Sequence, residues 1–233
     1  MRPLARRENA PELLDAPAHD PAVLAHSLAQ VADVNRWLGG TRSVALALAE
    51  TFPGTGALHL LDIGTGAGDV PLALSRSLER PLRWTAVDLH AQTAALAGAA
   101  GLQVARADAA RLPFPAGAFD AALLTLTLHH FDGALRLRVL REAGRVARFV
   151  IVSDLRRSRV NLMGARLLAA TLWRGNPLTR HDGPLSVLRA FTAGELLADA
   201  RRAGLREPRV RRRFFQRLVL TAGGTEGRQD EKP

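Results

Sequence analysis

Three glycines spaced two residues apart constrain this chain more than any other feature. They are Gly64, Gly66 and Gly68, and they follow an apolar run from Leu58 to Ile63 that is typical of a buried strand. A helical pattern begins at Asp69. A strand, a glycine turn and a helix in this order bring backbone N–H groups to the edge of a sheet, where ligands bind. Glycine permits that close approach because it has no Cβ atom and adopts positive φ readily.

The segments after this turn alternate between strand and helix patterns. Apolar runs predict strands at 58–63, 82–87, 102–105, 119–126 and 149–152, and helical spacing predicts helices at 70–79, 91–98 and 133–143. This alternation predicts an α/β fold with an open, mostly parallel, Rossmann-like sheet and helices on both faces. Ligands of such sheets lie beyond the carboxyl ends of the strands.

The segments before the glycine turn predict an N-terminal helical extension at 1–40. A helix is expected from Pro21, and the glycines at 39 and 40 end it. Thr41 is expected to cap a second helix that reaches Glu50. The main domain is predicted at 41–221.

Residues 156–190 interrupt the alternation and predict an insertion that covers the site. It consists of a helix from Val160 to Trp173 and a polar loop at 178–184. Thr192 is expected to cap the following helix. Residues 209–221 predict two short strands or one hairpin, and 222–233 predict a disordered tail.

The composition narrows the class of protein. The chain has no cysteine, which excludes disulfides, a thiolate nucleophile and cysteine-bound zinc. Residues 1–20 lack the apolar core of a signal peptide, and no run approaches the roughly 20 apolar residues of a membrane span. We therefore expect a cytoplasmic protein. The net charge is +10, and almost all of the positive charge comes from arginine, since Lys232 is the only lysine. We therefore ascribe the charge to coding bias rather than to nucleic-acid contact.

Three carboxylates stand at or just after predicted strand ends, namely Asp62, Asp88 and Asp108. Asp88 lies twenty residues beyond Gly68, where a carboxylate can accept hydrogen bonds from a ribose diol. This spacing alone fits a nicotinamide dinucleotide and S-adenosylmethionine equally.

The glycine pattern distinguishes the two cofactors. Dinucleotide enzymes typically show G-x-G-x-x-G, whereas here the third glycine arrives one residue earlier. The pattern from Asp62 to Gly68 resembles the first motif of class I S-adenosylmethionine-dependent methyltransferases. Val87 to His90 resembles their ribose-binding motif, and Ala107 to Ala109 resembles their adenine-binding turn. Leu126 to Phe131 is similar to a segment of quinone-biosynthesis methyltransferases.

The resemblance implies a seven-stranded sheet with an antiparallel last strand, and S-adenosylmethionine as the cofactor. It implies that the glycine turn approaches the amino-acid part of the cofactor, that Asp88 holds the ribose and that Asp108 and Ala109 contact the adenine. Asp62 would orient the turn or meet the ammonium group, and residues 125 and 126 would lie near the methionine moiety. The predicted cofactor set is Asp62, Gly64, Thr65, Gly66, Gly68, Asp88, Leu89, Asp108, Ala109, Thr125, Leu126 and Arg36.

Three further segments resemble a narrower bacterial subgroup. They are 35–40, 153–158 and 178–186, and they look like signatures of methyltransferases associated with type III polyketide synthase pathways to alkylresorcinol-type phenolic lipids. This resemblance implies O-methylation of a phenolic or polyketide acceptor. C-methylation of a quinone precursor stays open as the alternative.

A phenolic acceptor, with a pKa of about 10, reacts more readily when a base removes its proton. The candidates are His129, His130 and His181, because the unperturbed histidine pKa of about 6.5 suits the task. Asp182 follows His181 and is a possible orienting partner. Each histidine also has an interpretation as a packing or surface residue. The histidines lack the spacing of a metal site, so no metal is predicted.

Three other interpretations remain. Nucleic-acid methylation is disfavoured because 126–129 lacks the Asp/Asn-Pro-Pro-aromatic motif of amino-methylating enzymes. A non-catalytic protein that binds S-adenosylmethionine is compatible with the same motifs. The helix from Val160 to Trp173, with arginines beside its apolar residues, also fits peripheral contact with a membrane. The oligomeric state is left undetermined.

Overall fold

The computed structural model describes residues 4–225, and its centre is a seven-stranded sheet. The strands are β1 (Leu58–Ile63), β2 (Leu82–Asp88), β3 (Val104–Arg106), β4 (Phe119–Thr125), β5 (Ala147–Leu155), β6 (Arg206–Arg213) and β7 (Arg217–Gly223). Their order is β3-β2-β1-β4-β5-β7-β6, and β7 is antiparallel to both of its neighbours. The predicted Rossmann-like sheet with an antiparallel last strand is therefore confirmed.

Eight α-helices accompany the sheet within the described residues. They are α1 (Pro21–Trp37), α2 (Gly40–Thr51), α3 (Asp69–Ser77), α4 (Ala91–Ala99), α5 (Gly133–Val146), α6 (Arg159–Ala170), α7 (Pro177–Arg189) and α8 (Ala193–Arg202). Side-chain caps fix several starts: Asp20 accepts the N–H groups of Ala22 and Val23 at the start of α1. Thr192 and Glu195 form a capping box at the start of α8, as the sequence predicted for Thr192.

The core consists of two apolar layers, one on each face of the sheet. Alternate residues of a strand point to opposite faces, so Leu60 packs with α2 and α3 while Leu61 packs with α5 and α8. Both leucines are fully buried. The near-continuous apolar runs of β1, β4 and β5 are thereby explained, because each strand is covered on both faces.

Three sequence predictions need correction. Thr41 does not cap α2; Gly39, in the left-handed region with φ +72°, precedes a helix that begins at Gly40. The predicted tail begins too early, because Ala222 and Gly223 continue β7 and pair with β5. The rest of that predicted tail, from 226 to 233, lies outside the described residues.

The third correction concerns the predicted polar loop at 178–184, which is helical and belongs to α7. Asn176 caps this helix through the N–H groups of Leu178 and Thr179, and Pro177 occupies its first position. The Asn-Pro pair therefore starts α7, whereas the helix predicted to reach Trp173 already ends at Ala170. The apolar pattern of the sequence does not reveal this helix, because some of its buried side chains are polar, among them Thr179 and Asp182.

The N-terminal extension and the insertion meet each other above the carboxyl ends of the strands. Ser27 of α1 exchanges hydrogen bonds with Asn176 at 2.9–3.1 Å. The insertion leaves and rejoins the body where Arg156 and Phe191 form an isolated β-bridge. The two segments together roof the edge of the sheet at which the glycine turn lies. No helix of the described residues is long and apolar enough to cross a membrane.

Candidate functional site

A cavity of about 690 Å³ lies beneath this roof. Its floor is formed by the ends of β1, β2 and β4, and its walls by α1, α6, α7 and the segment before α1. The volume is in the range of sites for cofactors and small molecules. Most residues of the predicted cofactor set line it, namely Asp62, Gly64, Thr65, Gly66, Asp88, Leu89, Asp108, Ala109, Thr125 and Leu126.

The glycine turn is held in a backbone conformation that favours glycine at each of its three positions. Gly64, Gly66 and Gly68 have φ values of +70°, +57° and +79°. A Cβ atom on Gly64 would collide with the side chain of Thr127, and one on Gly68 with Leu102. Gly68 therefore lies behind the cavity wall, at the cap of α3, while Gly64 and Gly66 face the cavity.

Asp88 ties the glycine turn to the end of β2. Its Oδ2 accepts the N–H of Gly66 at 3.1 Å, and its Oδ1 accepts the N–H of His90 at 3.0 Å and the Thr93 hydroxyl at 3.3 Å. The carboxylate is 8% exposed and lies on the cavity wall. Asp88 therefore supports the turn structurally and offers a carboxylate to a ligand at the same place. Leu89, which follows it, is 54% exposed and also lines the cavity.

Asp108 and Ala109 form a tight turn after β3. Asp108 Oδ1 accepts the N–H of Ala110 at 2.8 Å, and its carbonyl accepts the N–H of Arg111 at 2.9 Å. This side-chain turn fixes the backbone beside the cavity, where Ala109 is almost buried. The turn is thus a rigid wall against which a flat ligand can pack.

The chain after β4 is strained next to the cavity. Leu126 has φ +52°, which is unusual for a residue with a side chain, and its N–H donates to Ser153 O at 2.9 Å. Thr127 Oγ1 donates to the carbonyl of Thr125 at 2.9 Å. The buried hydroxyl of Thr125 has no hydrogen-bond partner within residues 4–225. Such strain is concentrated at functional sites, and an unpaired buried hydroxyl is likewise unusual.

Asp62 is a buried carboxyl group at the end of β1. Burial raises its pKa to about 7, and the nearby carboxylates of Asp69 and Asp88 also raise it. No basic side chain among residues 4–225 lies within 4.0 Å of it. An ammonium group would neutralise this carboxylate, so Asp62 fits the amino end of S-adenosylmethionine.

Asn35 connects the N-terminal extension to the region of the glycine turn. The sequence analysis predicted its neighbour Arg36 as a cofactor residue instead. Asn35 Nδ2 donates to Asp69 Oδ2 at 3.0 Å, and the fully buried Arg217 donates to Asn35 Oδ1 at 3.0 Å. Arg36 lies outside the cavity, with its guanidinium stacked 4.7 Å from the centre of the exposed Trp37 ring. Burial lowers the pKa of Arg217 to about 10, and the charges of Asp154 and Asp69 oppose that shift.

His129 lies between two carboxylates at the wall of the cavity. Its Nδ1 lies 2.7 Å from Asp154 Oδ1, and its backbone N–H donates to Asp154 Oδ2 at 3.1 Å. Its Nε2 points toward Glu12, 3.6 Å from Oε1. His129 is 2% exposed and lines the cavity. A carboxylate at Nδ1 fixes the tautomer and leaves Nε2 to accept a proton.

His130 lies against the same glutamate but has a different electrostatic environment. Its Nδ1 is 2.8 Å from Asp15 Oδ1, and its Nε2 is 4.0 Å from Glu12 Oε2. Burial lowers the pKa of His130, but the hydrogen bond to Asp15 and the charges of Glu12 and Asp15 outweigh it and raise the pKa to about 9. His130 is therefore a cation at neutral pH and a donor rather than a base.

His181 lies away from the cavity. Its side chain is 50% exposed, and its Nδ1 lies 2.7 Å from Asp182 Oδ1, so the two adjacent residues do form a pair. Asp182 is buried and its oxygens accept the N–H groups of Leu13 and Leu14, each at 2.8 Å. The pair therefore anchors the N-terminal segment to α7, and the structure does not bring His181 to the place of a catalytic base.

Sequence reasoning missed four polar residues of the site. Asp154, at the end of β5, carried the same strand-end signal as Asp62 and Asp88. Arg189 donates to the carbonyls of His129 at 3.1 Å and His130 at 2.8 Å. Glu12 and Asp15 lie in a segment without a recognisable pattern, and only the fold places them here.

Glu12, His129 and His130 have ligand atoms within 4.8 Å of one another, a spacing that could hold a metal ion. However, the negative charge of Glu12 is already balanced by positively charged side chains. Arg189 lies 3.7 Å from Glu12 Oε1, and the imidazolium of His130 faces Glu12 and Asp15. We therefore interpret the group as an ion-pair network.

Comparison with known proteins agrees with this geometry. Residues 61–149 match the family model described as "Methyltransferase domain", which covers the glycine turn, Asp88, Asp108 and the histidine pair. No curated protein matches the sequence.

Solved structures extend the likeness over most of the chain, at identities that establish the fold. A SAM-dependent methyltransferase from Aquifex aeolicus is 21% identical over 88% of this chain and 98% of that one, with a TM-score of 0.62. A putative O-methyltransferase from Nostoc punctiforme is 18% identical over 92% of this chain and 65% of that one, with a TM-score of 0.63. A putative S-adenosyl-L-methionine-dependent methyltransferase from Methanococcus maripaludis is 13% identical over 87% and 94%, with a TM-score of 0.60.

Proposed function

We propose that this S-adenosylmethionine-dependent methyltransferase transfers a methyl group to a hydroxyl oxygen of a small phenolic or polyketide acceptor. The observation that carries the proposal is that one cavity contains both the glycine turn and the carboxylate-held His129. The cofactor and the base of an O-methyltransferase must meet in this way. The structure from Nostoc punctiforme, which bears the name of a putative O-methyltransferase, has the same fold.

The walls of the cavity favour an acceptor with an apolar body. Away from the glycine turn the lining is mainly aliphatic and aromatic, and it comes from α1, α6, the loop after α6, α7 and the turn between β6 and β7. These side chains are Leu24, Leu28, Val31, Val34, Leu168, Trp173, Val187 and Phe215. Polar side chains at the histidine pair include Glu12 and Asp15. An aromatic ring with one or more hydroxyl groups satisfies both parts.

His129 is the proposed catalytic base. S-adenosylmethionine, when bound, supplies a methyl group on a positively charged sulfur. His129 Nε2 takes the proton of the acceptor hydroxyl, and the carboxylate of Asp154 holds Nδ1–H and stabilises the imidazolium that forms. His130, already protonated, stabilises negative charge on the acceptor oxygen as it develops.

The remaining residues bind, orient and exclude water. Asp88 and the Asp108 turn are proposed to hold the adenosine part, and Asp62 the ammonium group. The N-terminal segment forms another wall of the cavity, and its residue Glu12 is only 5% exposed. Loss of charge during methyl transfer is favoured by such a desolvated site.

The proposal is tested with isotopically labelled S-adenosylmethionine and a panel of phenols and alkylresorcinols. Mass spectrometry of the product should show a methyl ether, and His129→Gln should slow its formation by roughly 10²–10⁴-fold while leaving cofactor binding intact. A methyl group on a ring carbon would instead identify the C-methylation alternative. Transfer to bulk RNA or DNA, or tight cofactor binding with no turnover on any acceptor, would overturn the proposal.

A further inference from the structure

The outward face of α6 carries large apolar side chains that are left in solvent. Val160, Met163 and Leu167 are 57%, 70% and 65% exposed, and Leu172 just beyond the helix is 75% exposed. Their spacing of three and four residues places the first three on one face. Single exposed apolar residues are ordinary on protein surfaces, but a row on one helix marks an interaction surface.

The charge around this row is of one sign. Arg159, Arg166 and Arg174 are exposed beside it, and no aspartate or glutamate occurs from residue 155 to 181. None of these three arginines forms an ion pair within residues 4–225. Apolar side chains interleaved with uncompensated arginines complement a surface that offers hydrocarbon and anionic phosphate together.

The same helix forms a wall of the cavity. Its inner residues Leu162 and Ala165 are buried against Val187 of α7, while Gly164 and Leu168 line the cavity. Leu167 belongs to both surfaces, because it lines the cavity and is 65% exposed. The exposed row is therefore continuous with the rim of the cavity.

We propose that the outward face of α6, with Leu172, docks on the surface of an anionic lipid bilayer. The apolar side chains enter the interface, and the arginines contact lipid phosphates. Docking in this orientation presents the rim of the cavity to the bilayer, from which an apolar acceptor can enter. This last consequence rests on the proposed function, whereas the docking itself does not.

Vesicle sedimentation without any acceptor tests the docking directly. Full-length protein is mixed with vesicles of phosphatidylcholine alone or with added phosphatidylglycerol. We expect binding to the anionic vesicles that weakens with salt, and a reduction of at least about tenfold in Val160→Glu/Met163→Glu, whose two positions do not line the cavity. Arg166→Glu should weaken binding by roughly fivefold or more, since each arginine near the surface contributes.

Leu46→Glu is the matched control, because Leu46 is 40% exposed on α2 and should leave vesicle binding unchanged. Unaltered cofactor affinity shows that each variant is folded. Equal binding by the double variant, or no binding by the natural sequence, overturns the proposal. A dimer of the natural chain that the double variant converts to a monomer, without vesicle binding, would assign the face to a second copy instead. Failure of methyl transfer to phenols would leave the vesicle result unaffected.

Discussion

His129 Nδ1 lies 2.7 Å from Asp154 Oδ1, although the two residues are twenty-five positions apart. The pair forms because β4 and β5 are parallel neighbours, so the segment after β4 meets the end of β5. Both side chains are almost completely buried, and His129 lines the cavity. A charged carboxylate in such a position is stable only when it is hydrogen-bonded, and it orients the imidazole in return.

Replacing either member of this pair should remove the proposed base. We expect His129→Gln to lower kcat by roughly 10²–10⁴, and Asp154→Asn to lower it by a smaller but still large factor, because the wrong tautomer becomes available. Cofactor affinity, measured by calorimetry, should change little in His129→Gln. His181→Gln is the control and should change kcat by less than about threefold. The opposite order of effects would restore His181 as the base.

The protonated state of His130 predicts a loss of stability at alkaline pH. The pKa of His130 is raised from 6.5 to about 9 in the folded protein, so the contribution is fully present below about pH 6.5 and is lost as the pH rises through 9. Urea unfolding between these two pH values should show this decline, and His130→Gln should flatten it. An unchanged slope in the variant would assign the decline to another group.

The buried carboxyl group of Asp62 also predicts a loss of stability as the pH rises, in this case because burial favours its neutral form. Because burial raises its pKa from 3.8 to about 7, the folded state binds the extra proton, and stability falls as the pH rises from about 4 to 7. Asp62→Asn should reduce this slope in urea unfolding. Affinity for S-adenosylmethionine should increase as the pH rises through 7, since the carboxylate then pairs with the ammonium group. Equal affinity for Asp62→Asn and the natural chain would disprove that pairing.

Gly64 and Gly117 form a matched pair for testing the glycine turn. Both have positive φ, +70° and +67°, but a Cβ atom on Gly117 meets nothing within 4 Å, whereas one on Gly64 meets Thr127. Gly117→Ala should therefore destabilise the fold by about 1–2 kcal/mol, the cost of the left-handed conformation alone. Gly64→Ala should destabilise it further and weaken cofactor binding. Thermal unfolding and calorimetry measure both effects, and equal losses would show that the turn relaxes around the new methyl group.

The carboxylate of Asp182 accepts hydrogen bonds from the N–H groups of Leu13 and Leu14, so we expect this residue to hold the N-terminal segment in place. Asp182→Ala should release the N-terminal segment, at a cost of roughly 1–3 kcal/mol for the charge-assisted bonds lost. Amide hydrogen exchange at Leu13 and Leu14 should accelerate, and kcat should fall because water enters the site. Protection of these amides at the natural level would show that Glu12 and Asp15 hold the segment without Asp182.

The residue positions that the sequence predicted at the sheet edge depend on local patterns. Apolar runs, helical spacing and the three glycines act over a few residues, and they place Asp62, Asp88 and Asp108 at strand ends of one sheet edge. The prediction of a loop at 178–184 was wrong because the polar residues of α7 face other segments of the chain rather than water. Arg36 was predicted instead of Asn35 because the sequence does not show which residue of the helix faces the cavity. Adjacent residues of a helix point in different directions.

The sequence by itself determined the class of fold and the residues of the glycine turn, because each is encoded by neighbours along the chain, and the cofactor followed from the resemblance of that turn to a known family. Only the tertiary structure decided which histidines line the cavity: His129 and His130 do, whereas His181 pairs with Asp182 outside it. Glu12 and Asp15 reach the histidine pair across more than a hundred positions of sequence. Contacts at that separation depend on how the extension and the insertion pack together, and no local pattern records that packing.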